Sequence, residues 1–184
     1  MGRKHRDVSA GTHHLTLHAI EGAPLFADAY DFNERLGILA EACGGDDFSI
    51  NLFCLMDNHE HLVVTVVDDV LPKIMRNMNR SYAGRFNERH GRKGHVYSDP
   101  YFSSRITSEG HALNVVRYVA LNPDGARYTA ESYPYSSCRS LVNRTDEFPF
   151  VDPTPILEWF GGGDRARALI AAFVADGKLI RRAA

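Results

Sequence analysis

The sequence predicts an α+β fold built on a ferredoxin-like antiparallel sheet, with the element order strand, helix, strand, strand, helix, strand (βαββαβ). Alternating apolar and polar residues mark the strands, and apolar residues at helical spacing mark the two helices between them. In this fold both helices cover one face of the sheet, so the opposite face is left for other elements.

The first half of the chain contains a strand, a helix and a pair of strands. The predicted segments are a strand at about 12–20, a helix at about 30–43 that ends at a Gly-Gly pair, and strands at 48–55 and 59–67. The tight turn Met56-Asp57-Asn58 joins the last two strands. These two strands are therefore expected to pair as a hairpin.

The second half begins with an amphipathic helix from Leu71 to His90, in which Lys73, Arg76 and Arg80 lie on a face separate from the apolar residues. The segment GHVYSDPYFSSRI, residues 94–106, supplies a fourth and irregular strand. Beyond Pro149, two short helices separated by a run of three glycines are expected. We therefore divide the chain into a main domain, residues 1–145, and a helical C-terminal extension, residues 146–184.

Composition excludes several classes of protein. The chain has 184 residues, of which 44% are hydrophobic and 24% charged, as in a globular protein, and no apolar run approaches the ~20 residues of a membrane span. The N-terminus lacks the apolar core of a signal peptide, so we expect a cytoplasmic location. No glycine-rich phosphate loop is apparent, so no nucleotide cofactor is expected.

Strand parity places several histidines on the open face of the sheet. In the third strand Leu62, Val64 and Val66 form the helix-covered set, so His59 and His61 point to the opposite face. The same reasoning, applied to the first strand, puts His14, Thr16 and His18 on that open face. Because the first and third strands are central neighbours in such a sheet, up to four imidazoles are expected on one surface.

A further helix is predicted to cover this surface. It begins after Ser108, a suitable N-cap, and ends at Pro123. A polar column follows one side of the helix at spacings of three and four residues: His111, Asn114, Tyr118 and Asn122. A phenol and a carboxamide one turn apart are thereby expected over the histidine pair.

These residues suggest a reaction at a phosphodiester. Two neutral imidazoles, His59 and His61, can hold a divalent metal ion, and an oxygen of Asn122 can complete the set. Tyr118 would then attack the phosphate in line, with His14 or His18 as the base. The product would be a covalent phosphotyrosine, which keeps the bond energy for later rejoining.

Positive charge is concentrated between residues 73 and 105, where eight Lys or Arg residues face two acidic ones. This distribution indicates a polyanion-binding surface, although a solvated helix face is an equally ordinary explanation. The residues proposed to contact DNA phosphates are Arg76, Arg80, Arg92 and Lys93. In the following segment Tyr97, Tyr101 and Phe102 either stack on unpaired bases or belong to the core.

The chain resembles the single-tyrosine, His-hydrophobic-His (HUH) transposases of bacterial insertion sequences, and within them the REP-associated tyrosine transposases. The resemblance spans roughly residues 8 to 142. It rests on five blocks in the family's order and spacing: THHLTLHAIEGAPLF, CLMDNHEHLVV, MNRSYAGRFNERHGRKGHVY, VVRYVALNP and SYPYSSCRSL.

The resemblance implies a transposase acting on single-stranded DNA next to hairpins, with residues 1–145 as its catalytic domain. It makes His59 and His61 the metal-binding pair, Tyr118 the nucleophile and Asn122 a third ligand, with Mg²⁺ or Mn²⁺ as the ion. Tyr118 would serve the histidine pair of its own chain or that of a partner, so a homodimer is also considered.

Glu60 departs from the family pattern, because an apolar residue normally stands between the two histidines. We expect it at the exposed end of the third strand, reaching a cation such as Arg6 or Lys73, or else acting as an additional metal ligand. Two alternative functions stay open. One is a metal-dependent nuclease that activates water, and the other is an inactive or domesticated nucleic-acid-binding protein, for which Glu60 would be an early sign of decay.

Overall fold

The computed structural model describes residues 7–123, 128–143 and 145–183. Its first part contains six elements: β1 (Gly11–His18), α1 (Ala29–Ala42), β2 (Phe48–Met56), β3 (His59–Val66), α2 (Leu71–Arg89) and β4 (Phe102–Arg105). The four strands form one antiparallel sheet in the order β2-β3-β1-β4. The element order is the one predicted, and β1 and β3 are the central strands.

The second part of the chain is helical. It contains α3 (Glu109–Ala120), α4 (Ser137–Asn143), α5 (Thr154–Trp159) and α6 (Gly163–Ala183). The two helices of the extension were predicted, but α6 has 21 residues and is not short. Helix α4 was not predicted.

The sheet separates two apolar cores. The first lies under α1 and α2 and includes Leu15, Leu62 and Val64. The second lies on the opposite face, where Val63 packs with residues of α3 and of the C-terminal helices. The alternation along β3 is thus as predicted, because neighbouring residues belong to different cores.

Helices α1 and α2 each begin in a well-defined way. The Asp28 side chain accepts hydrogen bonds from the backbone N–H groups of Tyr30 and Asp31 at the start of α1. Helix α2 has Pro72 in its first turn, where the missing N–H costs no helical hydrogen bond. Its buried face carries the predicted apolar residues: Leu71, Met75, Met78, Tyr82 and Phe86.

The fourth strand is shorter than predicted. Only Phe102–Arg105 pairs with β1 as a strand, and upstream of it a single bridge joins Tyr97 to Ala19. Pro100 lies between these two contacts and has no N–H to donate to a ladder. The edge of the sheet is therefore interrupted just before β4.

Helix α6 packs closely on α3. The Arg117 guanidinium lies 3.7 Å from the centre of the Phe173 ring and donates to the Phe173 carbonyl oxygen at 3.2 Å. A Cβ at Gly177 would lie 2.8 Å from Arg117 Cδ, so a larger residue would require the Arg117 side chain to move. The C-terminal extension thus packs against α3 through helix α6. No helix in the described residues is long and apolar enough to span a bilayer.

Candidate active site

Four histidines lie together on the face of the sheet that α1 and α2 leave open. Strand β3 begins at His59, directly after the two-residue turn, and its register pairs His59 with His18 and His61 with Thr16. The His18 and His59 rings are stacked with their centres 5.5 Å apart. The His14 and His61 rings lie 5.2 Å apart, so the imidazole cluster predicted from strand parity is present.

Helix α3 and the turn that follows it place Tyr118 and Asn122 over this cluster. The Ser108 side chain caps the helix, and the buried side of α3 packs in the second core, which includes Val63 of β3. The Tyr118 ring lies 5.0 Å from the His61 ring and 6.0 Å from the His14 ring. Asn122 Oδ1 lies 2.8 Å from His59 Nε2. The structure therefore brings the four predicted residues, Tyr118, His59, His61 and Asn122, into one cluster.

The buried imidazoles are held in their neutral form. Burial lowers the pKa of His61 to about 3, and the neighbouring imidazoles act in the same direction. Burial likewise lowers the pKa of His14 to about 4. Burial also lowers the pKa of His59, although the hydrogen bond to Asn122 opposes the shift. Neutral imidazoles keep a lone pair free for a metal ion.

The donor atoms are suited to a cation. His61 Nδ1 lies 3.2 Å from His14 Nε2 and 3.1 Å from Thr16 Oγ1, whereas its Nε2 is buried without a hydrogen-bond partner in the described part of the chain. Both nitrogens of His59 face amide oxygens, Asn58 Oδ1 and Asn122 Oδ1, each at 2.8 Å. A neutral imidazole has only one N–H, so one of the two nitrogens of His59 directs its lone pair at an amide oxygen. The two lone pairs repel each other, and a cation bound by both atoms would remove this repulsion.

The predicted ligand set depends on the amide. Among the described residues, no group of three or more His, Cys, Asp or Glu side chains is arranged to hold a metal ion. The two imidazoles alone do not make such a group, and the oxygen of Asn122 remains the predicted third ligand. The 2.8 Å between His59 Nε2 and Asn122 Oδ1 is close to the ~3 Å that separates neighbouring ligands of one octahedral ion.

The expectations for Glu60 were wrong. Although β3 does begin at His59, Glu60 is fully buried on the helix-covered face, and its partner is Arg35 of α1. Arg35 donates through Nε at 2.9 Å and through Nη2 at 2.5 Å, which gives a bidentate pair. Glu60 contacts neither Lys73 nor the imidazole face, and Arg6 lies outside the described residues.

Arg35 was missed in the sequence, although a signal was present. It stands between Phe32 and Leu39 on the buried face of α1, where an apolar residue is normal. Glu60 likewise stands at an apolar position of β3. Two opposite charges at two apolar positions predict a buried ion pair. Burial alone would lower the pKa of Arg35, but the nearby charge of Glu60 outweighs this effect and raises it.

The residues predicted to bind DNA lie away from the imidazoles. Arg76 and Arg80 are exposed and line a groove of about 930 Å³ between α2 and residues 94–101. Neither has an acidic partner among the described residues. Lys93 is exposed on the loop after α2, and the Arg92 guanidinium lies 5.5 Å from the centre of the Phe86 ring.

Two other cations of α2 are neutralised. Arg85 pairs with Glu34, and Arg89 pairs with Asp28 and Asp31. The hydrogen bond from Arg89 keeps the pKa of Asp28 below its usual value. The free positive charge of the basic helix is therefore concentrated at its N-terminal half, around Arg76 and Arg80.

A family model described as "Transposase IS200 like" matches residues 7–122, a range that extends from β1 to the end of the site on α3. The chain belongs to this family. The IS200-like transposases are enzymes, so a catalytic role for the cluster is the natural starting point. No curated protein matches the sequence at a significant level.

The fold of this IS200-like transposase is also found among solved structures. A structure described as "Structure of the REP associates tyrosine transposase bound to a REP hairpin" is similar to it, with a TM-score of 0.64 and 17% sequence identity. The similarity covers 78% of this chain and 87% of that chain. It confirms the α+β fold with a four-stranded antiparallel sheet and covering helices.

Proposed function

We propose that this IS200-like transposase cleaves and rejoins single-stranded DNA through a covalent 5′-phosphotyrosine on Tyr118. The observation that carries the proposal is the position of the Tyr118 ring, 5.0 Å from the His61 ring, beside the contact between His59 and Asn122. Tyr118 is 48% exposed, so a DNA phosphate can reach its hydroxyl from solvent. The cluster is formed within one chain, and we therefore assign Tyr118 to the histidine pair of its own chain.

The reaction is a transesterification. The Tyr118 oxygen forms a bond to phosphorus, the bond from phosphorus to the 3′ oxygen breaks, and the leaving strand ends in a 3′ hydroxyl. The phenolic proton passes to His18 or to solvent, since His14, with a pKa of about 4, is a weak acceptor for a phenol whose ordinary pKa is about 10. Attack by a 3′ hydroxyl on the phosphotyrosine reverses these steps and rejoins DNA.

His59, His61 and Asn122 would hold Mg²⁺ or Mn²⁺. Such an ion supplies a Lewis acid that polarises the scissile phosphodiester and stabilises the departing oxygen, an effect worth several kcal/mol. His14 and Thr16 orient the His61 ring through Nδ1, which leaves Nε2 for the ion. Asn58 orients the His59 ring through His59 Nδ1, which leaves Nε2 of His59 for the ion.

We assign the substrate to single-stranded DNA next to a hairpin, as in the REP-associated branch. The five sequence blocks and the similarity to a REP-associated transposase bound to a hairpin support this assignment. Arg76, Arg80, Arg92 and Lys93 would contact the phosphates, because they provide positive charge next to an open groove. Phosphate contacts of this kind hold the strand without reading its sequence.

A covalent adduct tests the reaction. Incubated with Mg²⁺ or Mn²⁺ and a labelled oligonucleotide that has a hairpin and an unpaired flank, the protein should form an adduct that survives denaturing electrophoresis. Tyr118→Phe should abolish it, because a phenyl ring has no nucleophile. Tyr128→Phe is the matched control, since Tyr128 is also exposed but packs on Tyr133 away from the imidazoles.

The same assay separates the alternatives. A nuclease that activates water would still cut DNA in Tyr118→Phe and would form no adduct. A protein retained only for binding would shift the hairpin oligonucleotide in a gel and cut nothing. The buried pairing of Glu60 with Arg35 removes the reason for regarding Glu60 as a sign of decay, because the charge is compensated and lies away from the imidazole face.

A further inference from the structure

Phe102 lies on the same face of the sheet as the imidazole cluster. In antiparallel pairs, residues directly opposite each other point to the same side. Phe102 of β4 pairs with Thr16 of β1, and Thr16 pairs with His61 of β3, so the three residues form one row across the sheet. Two strand spacings of about 4.8 Å put Phe102 roughly 10 Å from His61.

The ring of Phe102 is available to a ligand. The residue is 54% exposed, whereas the part of the same face formed by β2 and β3 packs against α3 in the second core. The two other aromatic residues of this segment differ from it, because Tyr97 and Tyr101 pack against the first core. One exposed phenylalanine is ordinary on a protein surface, but this one lies in the same cross-strand row as Thr16 and His61 of the imidazole face.

The edge of the sheet connects Phe102 with the basic groove. Strand β4 is an edge strand, and Pro100 and Tyr101, the two residues before Phe102, line the groove that also contains Arg76 and Arg80. The backbone at residues 101–102 is therefore the rim between the groove and the imidazole face. A DNA strand that contacts both arginines and also enters the imidazole face would cross the sheet edge at this rim.

We propose that Phe102 is the stacking platform for an unpaired nucleobase of the DNA strand, next to the scissile phosphate. The inference rests on the proposed function and adds a base-binding site to it. Any nucleobase has a flat π-face, so the platform holds single-stranded DNA irrespective of sequence and excludes a base that is still paired. It would fix the distance between the groove and the phosphate that Tyr118 attacks.

Fluorescence of 2-aminopurine tests the platform. The base is placed at successive single positions of the unpaired flank of a hairpin oligonucleotide, and stacking quenches its emission. The wild-type protein should quench it at one or two positions, and Phe102→Ala and Phe102→Leu should lose that quenching and bind about 10-fold more weakly. Phe102→Trp should restore both, because it restores an aromatic ring.

Salt dependence distinguishes stacking from charge. Phe102→Ala should leave the slope of log affinity against log salt unchanged, whereas Arg76→Ala combined with Arg80→Ala should make it shallower by about 1.4, at about 0.7 per lost phosphate contact. The matched control is Tyr30→Ala on α1, which removes an aromatic residue of similar exposure from the helix-covered side. It should change neither quenching nor affinity.

The outcomes separate this inference from the proposed function. Equal quenching and affinity in wild type and Phe102→Leu would overturn the platform, even if the wild-type protein forms its covalent adduct. Quenching that depends on Phe102 in a wild-type protein without any adduct would instead contradict the strand-transfer reaction and leave the platform supported.

Discussion

The polar residues on the two faces of β3 differ in their hydrogen bonding. His59 and His61 point to the open face, where a buried nitrogen of His61 has no partner in the described part of the chain. Glu60, the residue between them, points to the covered face and is held by two hydrogen bonds from Arg35. Consecutive residues of one strand thus carry an imidazole nitrogen without a partner on one side and, on the other, a carboxylate whose two oxygens both accept hydrogen bonds, although Nη1 of Arg35 is itself buried without a partner in the described residues.

This difference separates function from stability. An unpaired buried nitrogen costs free energy, which the structure tolerates where a ligand can complete it. A buried carboxylate without a partner would cost more, and it is tolerated only because Arg35 is present. Substitutions on the open face are therefore expected to reduce activity, and substitutions on the covered face to reduce the free energy of unfolding. The predictions below test this contrast.

Breaking the ion pair should have the largest effect. Arg35→Met leaves Glu60 buried without its cation, so the free energy of unfolding should fall by about 3–5 kcal/mol. The double variant Arg35→Met with Glu60→Leu removes both charges and should recover most of that loss. Urea denaturation measures both values.

Arg76→Met provides the control for this pair, because Arg76 is an exposed arginine on α2 and its replacement should change stability by less than about 0.5 kcal/mol. If the double variant were as unstable as Arg35→Met, the loss would come from the shape of the Arg35 side chain and not from its charge. The contribution of Arg35 to stability would then come from side-chain packing on the covered face.

Removing a ligand from the open face should affect activity more than folding. His59→Ala should reduce adduct formation at least about 100-fold, equivalent to ~2.7 kcal/mol, because loss of supporting residues alone costs 10- to 100-fold at metal sites. Its unfolding free energy should change by less than about 1 kcal/mol, since His59 is only partly buried. Titration with Mn²⁺, followed by its electron paramagnetic resonance signal, measures the affinity for the ion separately from the reaction.

An Mn²⁺ affinity equal to that of the wild type in His59→Ala would show that the imidazole is not a ligand. In that case a loss of adduct would have to arise from the position of Asn122, which contacts the same ring. Asn122→Ala separates these cases, because it removes the amide and keeps the imidazole.

The sequence predicted the open face better than the covered one. Strand parity depends only on the two-residue period of a strand, so His14, His18, His59 and His61 could be placed together without coordinates. Arg35 is far from Glu60 in the sequence, and its pairing depends on how α1 packs on the sheet. The start of β4 was misjudged although a signal was present, because Pro100 has no N–H to donate to the ladder and the strand begins only at Phe102.

The protonation of the open face predicts a smaller effect on stability. His14 has a pKa of about 4 in the folded protein, below its ordinary value, so between that value and about pH 6.5 the unfolded chain binds a proton that the folded chain does not. Stability should therefore rise with pH in this window and fall as the solution is acidified. His14→Gln, measured in chelator, should reduce the difference between about pH 6.5 and about pH 5 by about 1 kcal/mol. An unchanged difference would mean that His14 keeps its ordinary pKa in the folded protein, so that the open face would gain a positive charge below about pH 6.5 and bind a cation poorly there.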